Sequence, residues 1–205
     1  MLPFVKNSSV QRRSACLAAS VMSLLLRGIC AAQQMQVNLD PAQTKIEWTL
    51  GATMHTVHGT FKLKSGSVRF DPKSGDASGE IVVDATSGES GNHDRDSDMH
   101  NKVLESAHYP EITFLPKCVV GSLAEQGKSS IQVQGVFKIH GADHDFTLPM
   151  TVENNGGAIT ATSSFVVPYQ DWGMKNPSKM FLHVDSKVDV SVSATGHLTS
   201  EPAPR

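Results

Sequence analysis

The chain has 205 residues, with 18 Lys and Arg against 20 Asp and Glu, a formal net charge of −2 and 39% hydrophobic residues. This length suits a single globular domain. The acidic balance argues against nucleic acid as a partner, because phosphate binding needs a basic surface.

Residues 1–32 have the features of a secretory signal peptide, which is removed from the mature protein. They comprise a basic segment with Lys6, Arg12 and Arg13, an apolar segment over residues 15–26, and small residues at Cys30 and Ala32 before the expected cleavage. Because a membrane span takes about 20 apolar residues, we expect no membrane insertion. We expect a periplasmic or secreted protein.

The expected mature chain differs from the precursor in charge and cysteine content. Residues 1–32 hold four cations and no acid, so the mature net charge is −6, and only Cys118 remains. An intramolecular disulfide is therefore impossible, and an apolar core must stabilise the fold.

Period-two alternation of apolar and polar residues dominates the mature chain and predicts β-strands with one buried face. Eight such runs follow one another in residues 46–50, 61–70, 81–85, 112–114, 131–139, 146–152, 159–167 and 182–192. The parity changes at Gly66, which predicts a bulge. Turn-rich connections predict an all-β fold, an eight-stranded antiparallel barrel over residues 33–199, with a disordered tail at 200–205.

One segment breaks the strand pattern. Met99, Val103, Leu104 and Ala107 recur at helical spacing, and Asp98 and Lys102 are an i, i+4 pair. We expect one short helix from Asp96 to Ala107, capped by Asp96 or Ser97 and ended by Tyr109-Pro110. This inserted helix is a candidate lid over one end of the barrel.

The apolar-phase side chains of the strands converge on one interior if the barrel closes. Three interiors remain open: a sandwich core, a barrel filled by its own side chains, and a ligand tunnel. The small residues Gly135, Ala161 and Ser163 favour free space. The candidate tunnel residues are Trp48, Phe61, Leu63, Phe70, Ile81, Val83, Ile112, Phe114, Val133, Phe137, Phe146, Leu148, Met150 and Phe165.

An acidic and histidine-rich segment offers an alternative function. His93, Asp94, Asp96, Asp98 and His100 are potential metal ligands of a metal-dependent hydrolase. The segment matches neither a calcium loop nor HExxH, and acids are also typical of a helix start. We therefore expect no catalytic residue, no metal and no cofactor. We expect His140 and His144, which flank a turn, to be solvated.

The loop between the last two predicted strands contains two aromatic residues with Gly and Pro. It is either an ordered mouth of the tunnel or a plug of the barrel end. We assign contacts with a ligand headgroup at the mouth to Arg95, Tyr169, Trp172 and Met174.

From about Val37 to Leu198 the sequence resembles the YceI-like family of exported lipid-binding proteins. The resemblance rests on ordered blocks: His58-Gly59-Thr60-Phe61, Gly66-Ser67-Val68-Arg69-Phe70-Asp71, Gly91-Asn92, Arg95-Asp96, Met99-His100, Val103-Leu104, Tyr109-Pro110-Glu111-Ile112-Thr113-Phe114, Gly135-Val136-Phe137-Lys138-Ile139-His140-Gly141 and Trp172-Gly173-Met174. It implies a lipocalin-like barrel with a helix and a tunnel for a polyisoprenoid chain or an isoprenoid quinone.

The function that follows is an exported, non-enzymatic carrier of such a lipid. We expect the mature chain to be a monomer or a homodimer. The two alternatives are the hydrolase and a scaffold module with a filled core.

Overall fold

The computed structural model describes residues 33–53, 55–178 and 183–202. The predicted signal peptide, residues 1–32, lies outside this part and stays a prediction. The strands are β1 Gln33–Leu39, β2 Lys45–Gly51, β3 Thr56–Phe70, β4 Ala77–Glu89, β5 Glu111–Val120, β6 Gly127–Ile139, β7 Ala142–Asn155, β8 Ala158–Val167 and β9 Val188–Pro202. Helix α1, His93–Asp98, continues into a π-helical turn, Met99–Val103, between β4 and β5.

The nine strands close into an antiparallel barrel with eight strand positions. Consecutive strands pair from β2 to β3 and from β3 through β9, and β1 and β2 together occupy the one position between β3 and β9. β1 pairs with the second half of β3 and the end of β9, while β2 pairs with the first half of β3 and the start of β9. This confirms the predicted eight-stranded antiparallel barrel.

Three register shifts in the described strands bend the barrel wall. The register of β3 against β4 shifts between Leu63 and Ser65, just before Gly66, where the sequence predicted a bulge. The other two shifts lie between Thr60 and Lys62 in β3 and between Pro116 and Cys118 in β5. Such bulges increase the local twist and help a sheet to curve.

The predicted helix lies where expected, but its bounds were wrong. It begins at His93, three residues before Asp96, because the Asn92 side chain accepts a hydrogen bond from the Arg95 N–H (3.1 Å) and caps it. It ends at Val103 rather than Ala107, and Glu105 then adopts a left-handed φ of 48°. The Asp98–Lys102 ion pair forms at 2.6 Å. No helix in the described residues is long and apolar enough to cross a membrane.

The C-terminal strand is displaced from its predicted position. It covers Val188–Pro202, and Ser200 pairs with Met35, so the disordered tail predicted at 200–205 was wrong for residues 200–202. Residues 203–205 and the start of the predicted run at Leu182 lie outside the described part.

The wall is open between β7 and β8 toward the end that carries α1. Register partners join these strands only from Thr151–Thr162 to Asn155–Ala158, although both strands continue well beyond Thr151 and Thr162. Pro149 has no N–H to donate here, and the Ser163 hydroxyl instead donates to its carbonyl oxygen (2.6 Å). Beyond this bond, side chains must cover the split between the two strands.

Candidate functional site

A cavity of about 550 Å³ runs through the barrel, and side chains from all nine strands line it. This volume lies within the range of small-molecule sites in proteins. The inward-facing side chains pack in two clusters around this space, and within the described residues no large side chain is less than 2% exposed. The interior is therefore a ligand-sized space, and the filled core is wrong.

Thirteen of the fourteen predicted tunnel residues line this cavity. They are Trp48, Phe61, Leu63, Phe70, Ile81, Val83, Ile112, Phe114, Val133, Phe137, Leu148, Met150 and Phe165. Phe146 is the exception: it lies beside the split of the wall, with its ring 5.6 Å from Phe165 and 5.8 Å from Trp172. The list missed Met99, Val103 and Leu104 on the wall, although their helical spacing marked an apolar face.

Three hydroxyls on the wall already donate their hydrogen to the protein itself. The hydroxyls of Thr44, Ser163 and Tyr169 donate to backbone carbonyls at 2.8, 2.6 and 2.6 Å. The Trp48 indole N–H is buried without a hydrogen-bond partner in the described chain. Of the small residues expected to leave space, Ala161 and Ser163 line the cavity, whereas Gly135 lies under the Phe114 ring.

Tyr169 lines the cavity as predicted, but its hydroxyl serves the fold. It is 5% exposed and donates to the carbonyl oxygen of Asp185. Burial, with a smaller contribution from the Asp185 charge, raises the pKa of Tyr169 to about 12. The Tyr169 hydroxyl therefore connects the loop after β8 to the segment before β9, and the Tyr169 ring lines the cavity.

Polar side chains collect at one end of the cavity. Asn92, Asp94, Arg95 and Asp98 from the helix and His55 from the β2–β3 connection all line it, and Asn92, Asp94 and His55 are exposed to solvent. Met174, 2% exposed, also reaches the wall at this end. The mouth of the cavity is therefore polar and lies beside α1.

Arg95 is held in a fixed position at this mouth. Its Nε donates to the Ser90 hydroxyl (2.7 Å) and its Nη2 to the Ser90 carbonyl (3.0 Å). Ser90 is fixed in turn by Asp96, whose carboxylate accepts from the Ser90 hydroxyl and from its backbone N–H (2.9 Å). A guanidinium has five N–H donors, and these contacts use two of them.

Trp172 was assigned to the mouth, and the structure places it elsewhere. Its ring stacks on His144, with centroids 4.1 Å apart and planes 7° apart, and it contacts Phe137 and Phe146 at 5.6 and 5.8 Å. Trp172 does not line the cavity; it packs along β7 where β7 and β8 lose their pairing. Trp172 therefore covers the split between β7 and β8, whereas Tyr169 and Met174 line the cavity.

The two turn histidines are half-buried, so the prediction that both are solvated was wrong. His144 lies under Trp172, and His140 packs against Tyr109 with ring centroids 4.8 Å apart. His140 adopts a left-handed φ of 51° in the two-residue β6–β7 turn, and its Nε2 is 3.8 Å from a Glu105 carboxylate oxygen.

The structure does not bring together the candidate metal ligands of the hydrolase alternative. His100 bonds Ser106 through Nδ1 (2.9 Å) and the Gly88 carbonyl through Nε2 (2.8 Å), and Asp98 pairs with Lys102. Across residues 33–53, 55–178 and 183–202, no three His, Cys, Asp or Glu side chains are grouped to hold an ion. Asp96 is committed to Ser90, and His93 and Asp94 are exposed.

Solved structures share this architecture. BcnA of Burkholderia cenocepacia matches with a TM-score of 0.63 and 21% identity over 77% of this chain and 98% of its own. A polyisoprenoid-binding domain from Saccharophagus degradans, implicated in plant cell wall breakdown, matches with a TM-score of 0.59 and 16% identity over 80% of this chain and 98% of its own. A Campylobacter jejuni YceI protein matches with a TM-score of 0.54 and 16% identity over 75% and 88%.

Sequence comparison gives the family directly. No curated protein sequence matches the chain. The profile of the YceI-like domain matches residues 38–196, which include the last two residues of β1, the whole of β2 to β8 and the first part of β9. Since this match covers well over half of the sequence, the chain belongs to the YceI-like family.

Proposed function

We propose that this protein binds the apolar chain of an isoprenoid lipid, a polyisoprenoid or an isoprenoid quinone, inside the barrel and carries it without chemical change. The observation that carries the proposal is the cavity of about 550 Å³ with an apolar wall and a polar mouth. The polyisoprenoid-binding domain among its structural relatives supports the choice of lipid.

The wall suits a hydrocarbon chain on energetic grounds. Burial of each methylene contributes about 0.8 kcal/mol, so one five-carbon isoprene unit contributes up to about 4 kcal/mol before the costs of association. Because the hydroxyls of Thr44, Ser163 and Tyr169 already bond backbone carbonyls, the chain leaves no polar group of theirs unsatisfied. This wall suits a hydrocarbon chain better than a polar substrate.

The mouth is suited to orient a polar headgroup. The fixed guanidinium of Arg95 has N–H donors beyond the two that bond Ser90, and these can donate to a quinone carbonyl or a phosphate oxygen. We therefore assign Arg95 to the headgroup and the barrel interior to the chain. Export to the periplasm or the exterior, which the pattern of residues 1–32 supports, would place the carrier in water, where a prenyl lipid is insoluble.

The experiment starts from protein secreted by its native host. After organic-solvent extraction, mass spectrometry identifies the bound lipid and its headgroup, N-terminal sequencing shows whether the chain begins at Gln33, and light scattering shows whether it is a monomer or a homodimer. We expect one prenyl lipid per barrel. An extract without lipid, together with no binding of a fluorescent prenyl lipid by delipidated protein, would overturn the proposal.

A matched pair of variants tests whether the lipid occupies the cavity. Val133 lies on the cavity wall, whereas Val166 is 45% exposed on the outside of β8. Val133→Trp should remove binding of the fluorescent prenyl lipid, and Val166→Trp should retain it. Equal binding by the two variants would place the lipid outside the barrel.

A further inference from the structure

The end of the cavity away from α1 differs from the mouth in polarity and exposure. It is lined by Phe70, Leu123, Val152 and Ile159, which are apolar. Phe70, Val152 and Ile159 are 8%, 5% and 2% exposed, whereas Asn92 and Asp94 at the mouth are open to solvent. The cavity therefore has one end with polar, exposed side chains and one apolar end, which we call the floor.

The loop between β5 and β6 supplies one part of this floor and is held in place. Leu123 lines the cavity, and its neighbour Ala124 is fixed by two hydrogen bonds. The Ala124 N–H donates to the Ser129 hydroxyl (2.8 Å), and the Ala124 carbonyl accepts from Nδ2 of Asn154 (3.2 Å), a side chain that is 4% exposed. The backbone beside Leu123 is thus held in place at this end of the cavity, and the Leu123 side chain is half-buried.

Small side chains lie immediately before the floor. Ala161 on β8 and Ala194 on β9 are register partners, both line the cavity, and they are 5% and 4% exposed. Along the inward face of β8, Phe165 is followed by Ser163, Ala161 and then the bulky Ile159, which pairs with Gly196. At this row neither Ala161 nor Ala194 has a side-chain atom beyond Cβ, so both leave more room than the bulky Ile159 beside them.

We propose that Ala161 and Ala194, above the stop formed by Leu123 and Ile159, set the length of prenyl chain that the barrel accepts. The inference rests on the proposed function and adds to it a preference for prenyl chains of a certain length. A chain that is short enough ends before this row and makes no contact with it. A longer chain fills the space between the two alanines and ends at Leu123 and Ile159, and any further unit leaves carbon atoms outside the mouth.

The test compares delipidated parent with Ala161→Leu and Ala194→Leu, using farnesol, geranylgeraniol and solanesol in competition with a fluorescent prenyl lipid. Leucine fills the space before the floor, so affinity for the longest alcohol that the parent holds should fall between about fivefold and a hundredfold, while farnesol binding is unchanged. Leu123→Ala should shift the preference the other way, toward solanesol.

Ala52→Leu is the matched control, because Ala52 lines the same cavity near the mouth, where it bridges to Val184. Every chain passes the mouth, so this change should weaken all three alcohols by a similar factor. Thermal melting of each delipidated variant verifies the fold, and Ala194→Val replaces Ala194→Leu in the same comparison if the larger side chain prevents folding.

The outcomes separate the two proposals. If the parent binds none of the alcohols, the proposed function fails. The inference is overturned if the parent binds the alcohols but the substitutions at Ala161 and Ala194 weaken short and long alcohols equally. It is also overturned if these substitutions change the binding of neither, because the two residues then do not set the accepted chain length.

Discussion

Removal of one hydroxyl, by Tyr169→Phe, should change how the stability of the barrel depends on alkaline pH. The Tyr169 hydroxyl donates to the Asp185 carbonyl at 2.6 Å, and burial raises its pKa from 10.0 to about 12. The folded state therefore keeps this proton while the unfolded chain releases it. The resulting stabilisation is fully present below about pH 10 and is lost as the pH rises from about 10 to 12.

The size of the effect follows from the pKa difference. Two pKa units correspond to at most about 2.7 kcal/mol, and solvent screening near the mouth reduces this to about 1–2 kcal/mol. At neutral pH, Tyr169→Phe should lower the free energy of unfolding by about 1 kcal/mol, because the Asp185 carbonyl loses its donor. The variant should then lose less stability than the parent between about pH 10 and 12.

Urea denaturation followed by circular dichroism, repeated at several alkaline pH values, measures both quantities. The chain has two tyrosines, and Tyr109→Phe is the control because Tyr109 is 36% exposed. Its variant should follow the alkaline decline of the parent. The same decline in Tyr169→Phe as in the parent would refute the argument that Tyr169 titrates late because it is buried.

Three further predictions concern the cavity, its mouth and the helix. Binding of a prenyl quinone should quench the fluorescence of Trp48, which lines the cavity, more than that of Trp172; Trp172→Phe should keep most of the quenching and Trp48→Phe should lose it. Arg95→Gln should weaken binding of a prenyl phosphate by about tenfold or more in titrations and leave the uncharged prenyl alcohol unchanged, and equal losses would contradict a headgroup role. His100→Ala should cost about 1–3 kcal/mol in urea denaturation, because the Gly88 carbonyl and Ser106 lose their partner, whereas His93→Ala at an exposed position should cost almost nothing.

The predictable part of the fold was the part with strong period-two alternation. Strands such as β6 and β8 alternate over their whole length, and their residues lie on the wall in the expected phase. β1 was missed although Met35, Val37 and Leu39 alternate with Gln36 and Asn38, because this run is short and directly follows the predicted signal peptide. β1 exists because β3 and β9 both offer it backbone partners, which a local pattern cannot show.

The helix start and the two ends of the cavity show what local sequence cannot determine. Asp96 was a plausible cap by residue type, but Asn92 holds that position and Asp96 instead bonds Ser90. Most of the apolar lining could be predicted from alternation alone, since a closed barrel turns one face of each strand inward. The Tyr169 hydroxyl donates to the carbonyl of Asp185, and the loop that carries Leu123 is held by hydrogen bonds with Ser129 and Asn154. These contacts form only in the folded barrel.

Pro149 determines where the hydrogen-bonded ladder between β7 and β8 ends. Because it has no N–H, the ladder between β7 and β8 ends beside it, and the Ser163 hydroxyl supplies the last bond across the strands. The wall beyond needs side chains to exclude water, and Phe146, Phe165 and Trp172 meet there, with His144 stacked on the indole. Phe146 and Trp172 therefore cover this split and do not line the cavity, although the sequence predicted both as ligand contacts. The polarity and phase of a residue predict whether its side chain faces inward. They do not show that the β7–β8 ladder ends at Pro149, where Phe146 and Trp172 pack over the split.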